Sequence, residues 1–114
     1  MKHLKTYQEH SSTFTHQDKE YDLNKMFRLT KRRKISKMNV SKLKWILKYS
    51  KIYKYRVAEA DTNVPILIGK MGKKWVVYDG AHRLTKAIKQ GDETIKVIKV
   101  PAYILKKCLI SEEK

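Results

Sequence analysis

Counter-charge is what this sequence most lacks: 11 Asp and Glu stand against 27 Lys and Arg, a formal charge of +16. Such a field repels cationic partners and draws polyanions, of which nucleic acid is the most abundant. A solvated basic surface with no dedicated partner is the plainer alternative. Cysteine is nearly missing too. With Cys108 alone there is no internal disulfide, and one thiol near the C-terminus reads as a passive residue of a reducing, cytoplasmic compartment rather than a nucleophile. No apolar run approaches the roughly 18–20 residues that span a bilayer. The first residues also lack the apolar stretch that a secretory signal needs, so no membrane partner is expected. There is neither an internal repeat nor a low-complexity linker. What remains, 41% hydrophobic residues in a chain of 114, suits one small domain with its own core.

The most informative stretch is residues 75–91. Trp75, Val76, Val77 and Tyr78 form a β-branched and aromatic run that reads as a buried strand. Asp79 and Gly80 break it, because Asp bonds to nearby backbone N–H groups and Gly accepts φ > 0. From Ala81 the pattern turns helical, with Leu84, Ala87 and Ile88 on one face. Gly91 stands where a glycine ends a helix. His82 and Arg83 therefore fall on the first turn, where N–H groups without helical partners carry partial positive charge and attract anions. Gly80, His82 and Arg83 make a candidate phosphate site, with Gly80 expected to let the anion approach. Local pairing of His82 and Arg83 with Asp79 is the alternative.

Around that stretch, residues 1–20 read as a polar, loosely ordered leader, residues 21–105 as the domain, and residues 106–114 as a frayed or shortly helical tail. Asp22 reads as the cap of a short helix carrying Leu23, Met26 and Phe27 on one face. Residues 35–40 alternate as a first strand. Ser41 caps a helix to about Tyr49 that turns Leu43, Ile46 and Leu47 inward; if it continues, Lys44, Lys48 and Lys51 line one exposed face. Residues 64–68 and 73–78, joined by a turn at 69–72, form a hairpin. Residues 94–100 make a further strand, and Pro101 with residues 102–105 a last strand or a bulged continuation of it. The order implies an α/β (α+β) fold, a small mixed sheet flanked by helices.

Residues 25–56 hold 13 Lys and Arg and not one acid. Trp45, Tyr49, Tyr53 and Tyr55 are interleaved with them. Basic side chains neutralise backbone phosphates and exposed aromatics stack on bases. Lys31, Arg32, Arg33, Lys34, Lys44, Lys48 and Lys51 are thus the candidate contacts to nucleic acid, DNA ahead of RNA. For Trp45 and Tyr49 the more ordinary reading is a pair of half-buried helix residues. Metal-assisted phosphoryl chemistry wants convergent carboxylates. Asp61 and Asp79 are the pair that could meet near the turn, so a catalytic or metal role stays open for them and no metal site is assigned.

The strand at 64–68, the hairpin, the Asp-Gly-Ala-His-Arg box at 79–83, the glycine-ended helix and the Val-Pro-Ala-Tyr-Ile run at 100–104 together resemble the ParB/sulfiredoxin superfamily. The likeness covers about residues 35–105 and is nearest to members with an Asp-Gly-x-His-Arg box. It implies a ParB-like nucleic-acid-binding module whose box holds a phosphate, of a nucleotide or of a nucleic-acid backbone, at the helix N-terminus. It leaves open whether CTP, ATP or ADP is bound, with or without a divalent cation. The alternative it implies is a small nucleotide-dependent phosphotransferase or hydrolase, or a nuclease, with Glu59, Asp61 or Asp79 as the carboxylate. Two departures narrow the field. Ala81 stands where sulfiredoxins carry their catalytic cysteine, which removes sulfinic-acid reduction. Where the CTP-binding partition proteins have Glu-Arg-Arg, this chain has Ala81, His82 and Arg83, so the last arginine is kept and the acid is gone. Oligomeric state is open.

Overall fold

A computed structural model describes residues 13–112; most of the expected leader lies outside them. The chain runs β1 (Thr13–His16), β2 (Lys19–Asp22), α1 (Leu23–Thr30), β3 (Ser36–Asn39), two 3₁₀ segments (Val40–Lys42 and Lys44–Tyr49), α2 (Lys54–Glu59), β4 (Ile66–Met71), β5 (Lys74–Asp79), α3 (Ala81–Lys89), β6 (Thr94–Lys99), α4 (Ala102–Lys107) and β7 (Leu109–Glu112). These group into two compact units, one holding residues 33–99 and the other the residues before and after them. The α+β class expected from the sequence is what is seen, with two sheets rather than one.

In the flanking unit, β1, β2 and β7 form an antiparallel sheet in that order. Its first hairpin replaces the last part of the expected leader. Gln17 and Asp18 both have positive φ, 50° and 66°, the pattern of a two-residue type I′ turn. Such turns usually show Asn-Gly, and Gln-Asp gives no comparable signal. α1 starts as expected, with the Asp22 carboxylate accepting a hydrogen bond from Lys25 N–H at 3.0 Å. Leu23 and Met26 are buried, but Phe27 is exposed and Thr30 is the third inward residue. The Thr30 hydroxyl is satisfied by donating to Met26 O at 2.8 Å. Residues 102–105, expected as a strand, are helical instead. Pro101 has extended ψ (160°) and its carbonyl accepts from both Ile104 and Leu105 N–H. A four-residue apolar run cannot reveal its period, so only the fold settles it. The expected tail likewise supplies β7, paired with β2.

The 33–99 unit holds a mixed sheet, β3-β6-β4-β5. β4 and β5 pair antiparallel as expected, while α3 crosses over so that β6 returns parallel to β4. The hairpin is longer than its sequence suggests. Gly69 belongs to β4, paired with Val76, rather than to the turn, and it must be glycine because a Cβ there would run into the Tyr78 ring. The turn itself is Gly72 and Lys73, with Gly72 at φ +66°. α3 buries Leu84 and Ala87 against Ile66, Ile68, Val77, Ile95 and Val97. It ends in a Schellman motif: Asp92 N–H bonds to Ala87 O and Gly91 N–H to Ile88 O, with Gly91 at φ +84°.

The expected helix at 41–49 is 3₁₀ throughout, in two pieces. Leu43, fully buried, is the hinge between them. One tertiary tie and one local bond hold the tighter coil: Trp45 Nε1–H donates to Trp75 O at 3.0 Å, and Ser50 Oγ–H closes the end of the segment on Ile46 O at 3.0 Å. With three residues per turn, positions 44 and 48 no longer stack as they would on an α-helix, and the segment stops at Tyr49. Lys44, Lys48 and Lys51 are all exposed but do not form the expected single stripe.

Two glycines with positive φ make opposite demands. A Cβ on Gly91 would meet nothing, whereas on Gly80 (φ +125°) it would strike the Ile66 side chain. Gly91→Ala should lower unfolding stability by about 1–2 kcal/mol, the cost of left-handed backbone alone. Gly80→Ala should cost more, by roughly a further 1–3 kcal/mol for overpacking. Urea denaturation of both variants checks this; equal losses would mean that Ile66 yields freely.

Candidate functional site

The site is built where β5 gives way to α3. The β4–β5 register shifts by one between Leu67 and Ile68, so that Ile68 faces Val77 and Leu67 faces Asp79. Tyr78 is the extra residue of this bulge, which turns the strand end just before the box. Gly80 then serves packing rather than access. Its missing Cβ faces Ile66, not the solvent side where an anion would arrive. Having no side chain, it also leaves the first turn of α3 without a side-chain cap.

Three polar side chains of α3 reach across to the segment that contains α2. His82 Nε2 accepts a hydrogen bond from Tyr53 N–H at 3.1 Å, and its ring stacks on Tyr53 (6.0 Å, 14°). The Nε2 lone pair is thereby committed and the neutral ring carries its proton on Nδ1. Burial, and secondarily the Arg56 charge, push the His82 pKa below its ordinary value. Arg83 Nη1 donates to Pro65 O at 2.8 Å and to Val64 O at 3.4 Å, while Nη2 pairs with Asp79 Oδ2 at 3.4 Å. Lys86 Nζ donates to Ala58 O at 3.0 Å and Ala60 O at 2.8 Å, capping the end of α2.

These ties frame an open pocket of about 250 Å³. Arg56, Glu59 and Ala60 line it from α2 and the residue after it, and Asp79, Gly80, His82 and Arg83 from the box. The Arg56 side chain has no hydrogen bond or ion pair among the described residues. Its guanidinium, unlike that of Arg83, is not committed to holding the fold. A pocket with one uncommitted guanidinium, one partly committed guanidinium and an uncapped helix start can hold an oxyanion.

Of the residues the sequence singled out, Asp79, Gly80, His82 and Arg83 meet here. Asp61 does not line the pocket. Its carboxylate accepts from Asn63 N–H at 2.9 Å in a local turn, which leaves it shaping the connection to β4. The carboxylate that does share the pocket with Asp79 is Glu59. Lys31, Arg32, Arg33 and Lys34 follow α1 and are all exposed. Arg56 and Tyr53 were missed as site residues. Their signal was present: Arg56 and Glu59 stand i, i+3 apart, the spacing that shares a helix face, yet a six-residue helix is too short for periodicity to declare it.

No family model matches the chain, and no curated protein matches it. Among solved structures it is similar to sulfiredoxin from Arabidopsis thaliana, with 18% sequence identity and a TM-score of 0.47, over 58% of this chain and 83% of that one. So distant a likeness transfers no residue roles. Among the described residues no helix is long and apolar enough to cross a membrane, and no group of three or more His, Cys, Asp or Glu side chains could hold a metal ion.

The Arg83 guanidinium ties α3 to the Val64 and Pro65 carbonyls that lead into β4. Arg83→Ala should lower stability by about 1.5–3 kcal/mol, the range for hydrogen bonds to a charged group, and Arg83→Lys should recover part of it. Thermal or urea unfolding decides; an unchanged midpoint for Arg83→Ala would show these hydrogen bonds to be idle.

His82 gives a pH test. Its folded pKa lies below the ordinary 6.5, so between those two values the unfolded chain binds more protons than the native one. The stabilisation from neutral His82 is complete above about pH 6.5 and is lost as pH falls toward the lowered value. His82→Gln, whose amide oxygen can still accept from Tyr53 N–H, should flatten the stability profile below about pH 6.5. A profile as steep as the parent's would assign the dependence to other groups.

Proposed function

We propose that this chain is a nucleic-acid-binding module that anchors a phosphate, of a nucleotide or of the nucleic-acid backbone, in the pocket at the start of α3. The observation that carries the reading is the uncommitted Arg56 guanidinium beside the uncapped first turn of α3. Arg83 adds positive charge while its fork is turned mostly to Pro65 O, and His82, neutral, offers Nδ1–H as a donor. The reading agrees with what the Asp79–Arg83 box implies by its resemblance to the ParB/sulfiredoxin superfamily. It revises the division of labour: Arg56 is the principal anchor and Arg83 the residue that keeps the pocket in shape. The formal charge of +16, with Lys31, Arg32, Arg33 and Lys34 exposed, supplies the longer-range attraction to a polyanion.

Titration of ATP, ADP, CTP and a short oligonucleotide against the parent and Arg56→Ala tests this. The variant should bind whichever ligand the parent binds with an affinity weakened roughly 10- to 150-fold, the equivalent of a charge-assisted hydrogen bond, and should unfold at the parent's midpoint. Oligonucleotide affinity should also fall with salt, by about 0.9 in log–log slope for each duplex phosphate neutralised. Replacing residues 31–34 with Glu should flatten that slope. Salt-insensitive binding, no binding at low salt, or an Arg56→Ala variant that binds as the parent does would each overturn the reading.

A further inference from the structure

The end of the 33–99 unit away from the pocket carries a second feature. β5 begins at Lys74 and Trp75 and ends at Asp79, and α3 runs back from Ala81 to Ile88. A strand rises about 3.3 Å per residue, so Trp75 lies about 13 Å along β5 from the box. There the Trp45 indole is tied to β5 by the Nε1–H bond to the main-chain carbonyl of Trp75. Both are overlaid by ammonium groups: Lys74 Nζ sits 4.6 Å from the Trp45 ring, and Lys70 and Lys99 Nζ sit 5.3 and 5.4 Å from the Trp75 ring. Tyr49 meets Trp45 edge-on (6.1 Å, 70°) and is 78% exposed, the most open of the large apolar and aromatic side chains described. Beside it runs a groove of about 660 Å³ whose lining includes Lys44, Leu47, Lys48 and Ile88 and no acid.

We infer that this face binds single-stranded nucleic acid, with Tyr49 as the stacking platform for a base and Lys44, Lys48 and Lys74 as the groups that neutralise phosphates. The inference deepens the proposed function and rests on its nucleic-acid reading, though not on the phosphate pocket. Charge complementarity selects the occupant class, since the lysines here bring their own field with no acid lining the groove. The aromatic geometry selects single strands. In a duplex the base faces are already stacked on one another, whereas a single strand presents them to an open ring. Ammonium groups lie over both Trp rings, and Tyr49 is the most open ring among the described residues. It is also held in place: Trp45 is tied to β5, and Ser50 N–H and Oγ–H close the 3₁₀ turn on Leu47 O and Ile46 O. A platform held before binding loses little freedom on binding.

The experiment follows intrinsic tryptophan fluorescence and the anisotropy of a labelled thymidine oligonucleotide, using the full chain. A single strand should quench Trp45, and an abasic strand of the same length, with equal phosphates and no bases, should bind on the order of 5- to 150-fold more weakly, the span of one base–aromatic stack. Tyr49→Ala should lose affinity for the normal strand by a similar factor without changing its salt slope, and Tyr49→Phe should restore it. Lys44→Glu with Lys48→Glu should lower the single-strand slope by about 0.7 for each phosphate that is no longer neutralised. Tyr49 is exposed, so its variants should unfold as the parent does. Single-stranded DNA and RNA arms identify the sugar. Failure of the parent to bind any nucleic acid at low salt would overturn both this inference and the proposed function. Three results would overturn the inference alone: Tyr49→Ala binding like the parent, the abasic strand binding like the normal one, or duplex and heparin binding as tightly as the single strand.

Discussion

The contact on which the rest of the 33–99 unit depends is the one from Arg83 to the Pro65 carbonyl, with its neighbours on the same helix face. α2 has six residues and buries only Val57, far too little for a helix to hold itself in place. What fixes it is a row of donors and one acceptor along α3. His82 takes the N–H at the start of α2, Lys86 caps the carbonyls at its end, and Arg83 holds the two carbonyls that lead into β4. The inner face of α3, through Leu84 and Ala87, is meanwhile packed on the sheet. A single helix therefore packs the core on one side and positions the pocket wall on the other.

That arrangement explains a division among the cations. Arg83 is the residue a motif would nominate as the ligand anchor, yet its side chain is 18% exposed and engaged in the fold. Arg56 is carried on the dependent helix and has no side-chain hydrogen bond or ion pair among the described residues, so its position there is set by bonds in which its side chain takes no part. Gly80 shows the same displacement of role. Its lack of a side chain is required by Ile66 at its back, and the uncapped helix start is a consequence of that packing demand. The strongly basic composition acts on top of this geometry. Asp79 answers Arg83, and the lysines at the far end of β5 lie over indole rings instead of carboxylates.

Much of this was legible without the structure. The β5–turn–α3 unit, its inward residues Leu84 and Ala87, the Gly91 stop and the β4 partner all follow from period, propensity and turn chemistry, because each is decided within about fifteen residues of chain. The Asp22 cap followed for the same reason. The errors share a cause. The 3₁₀ segment at Lys44–Tyr49, the short helices α2 and α4, and the hairpin through Gln17 and Asp18 are elements too short for their own sequence to select, and each is chosen by what it packs against or bonds to.

By itself, then, the sequence determined the charge, the α+β class, the central strand–turn–helix and the presence of His82 and Arg83 at a helix start. Only the tertiary structure decided that Arg83 is engaged in the fold while Arg56 has no side-chain partner among the described residues, that Glu59 rather than Asp61 joins Asp79, and that Tyr49 stands open instead of half-buried. The reason is physical. Propensity and periodicity act between neighbours along the chain, whereas the availability of a guanidinium or a ring face depends on hydrogen-bond partners such as those 18 to 30 residues away, which no local pattern encodes.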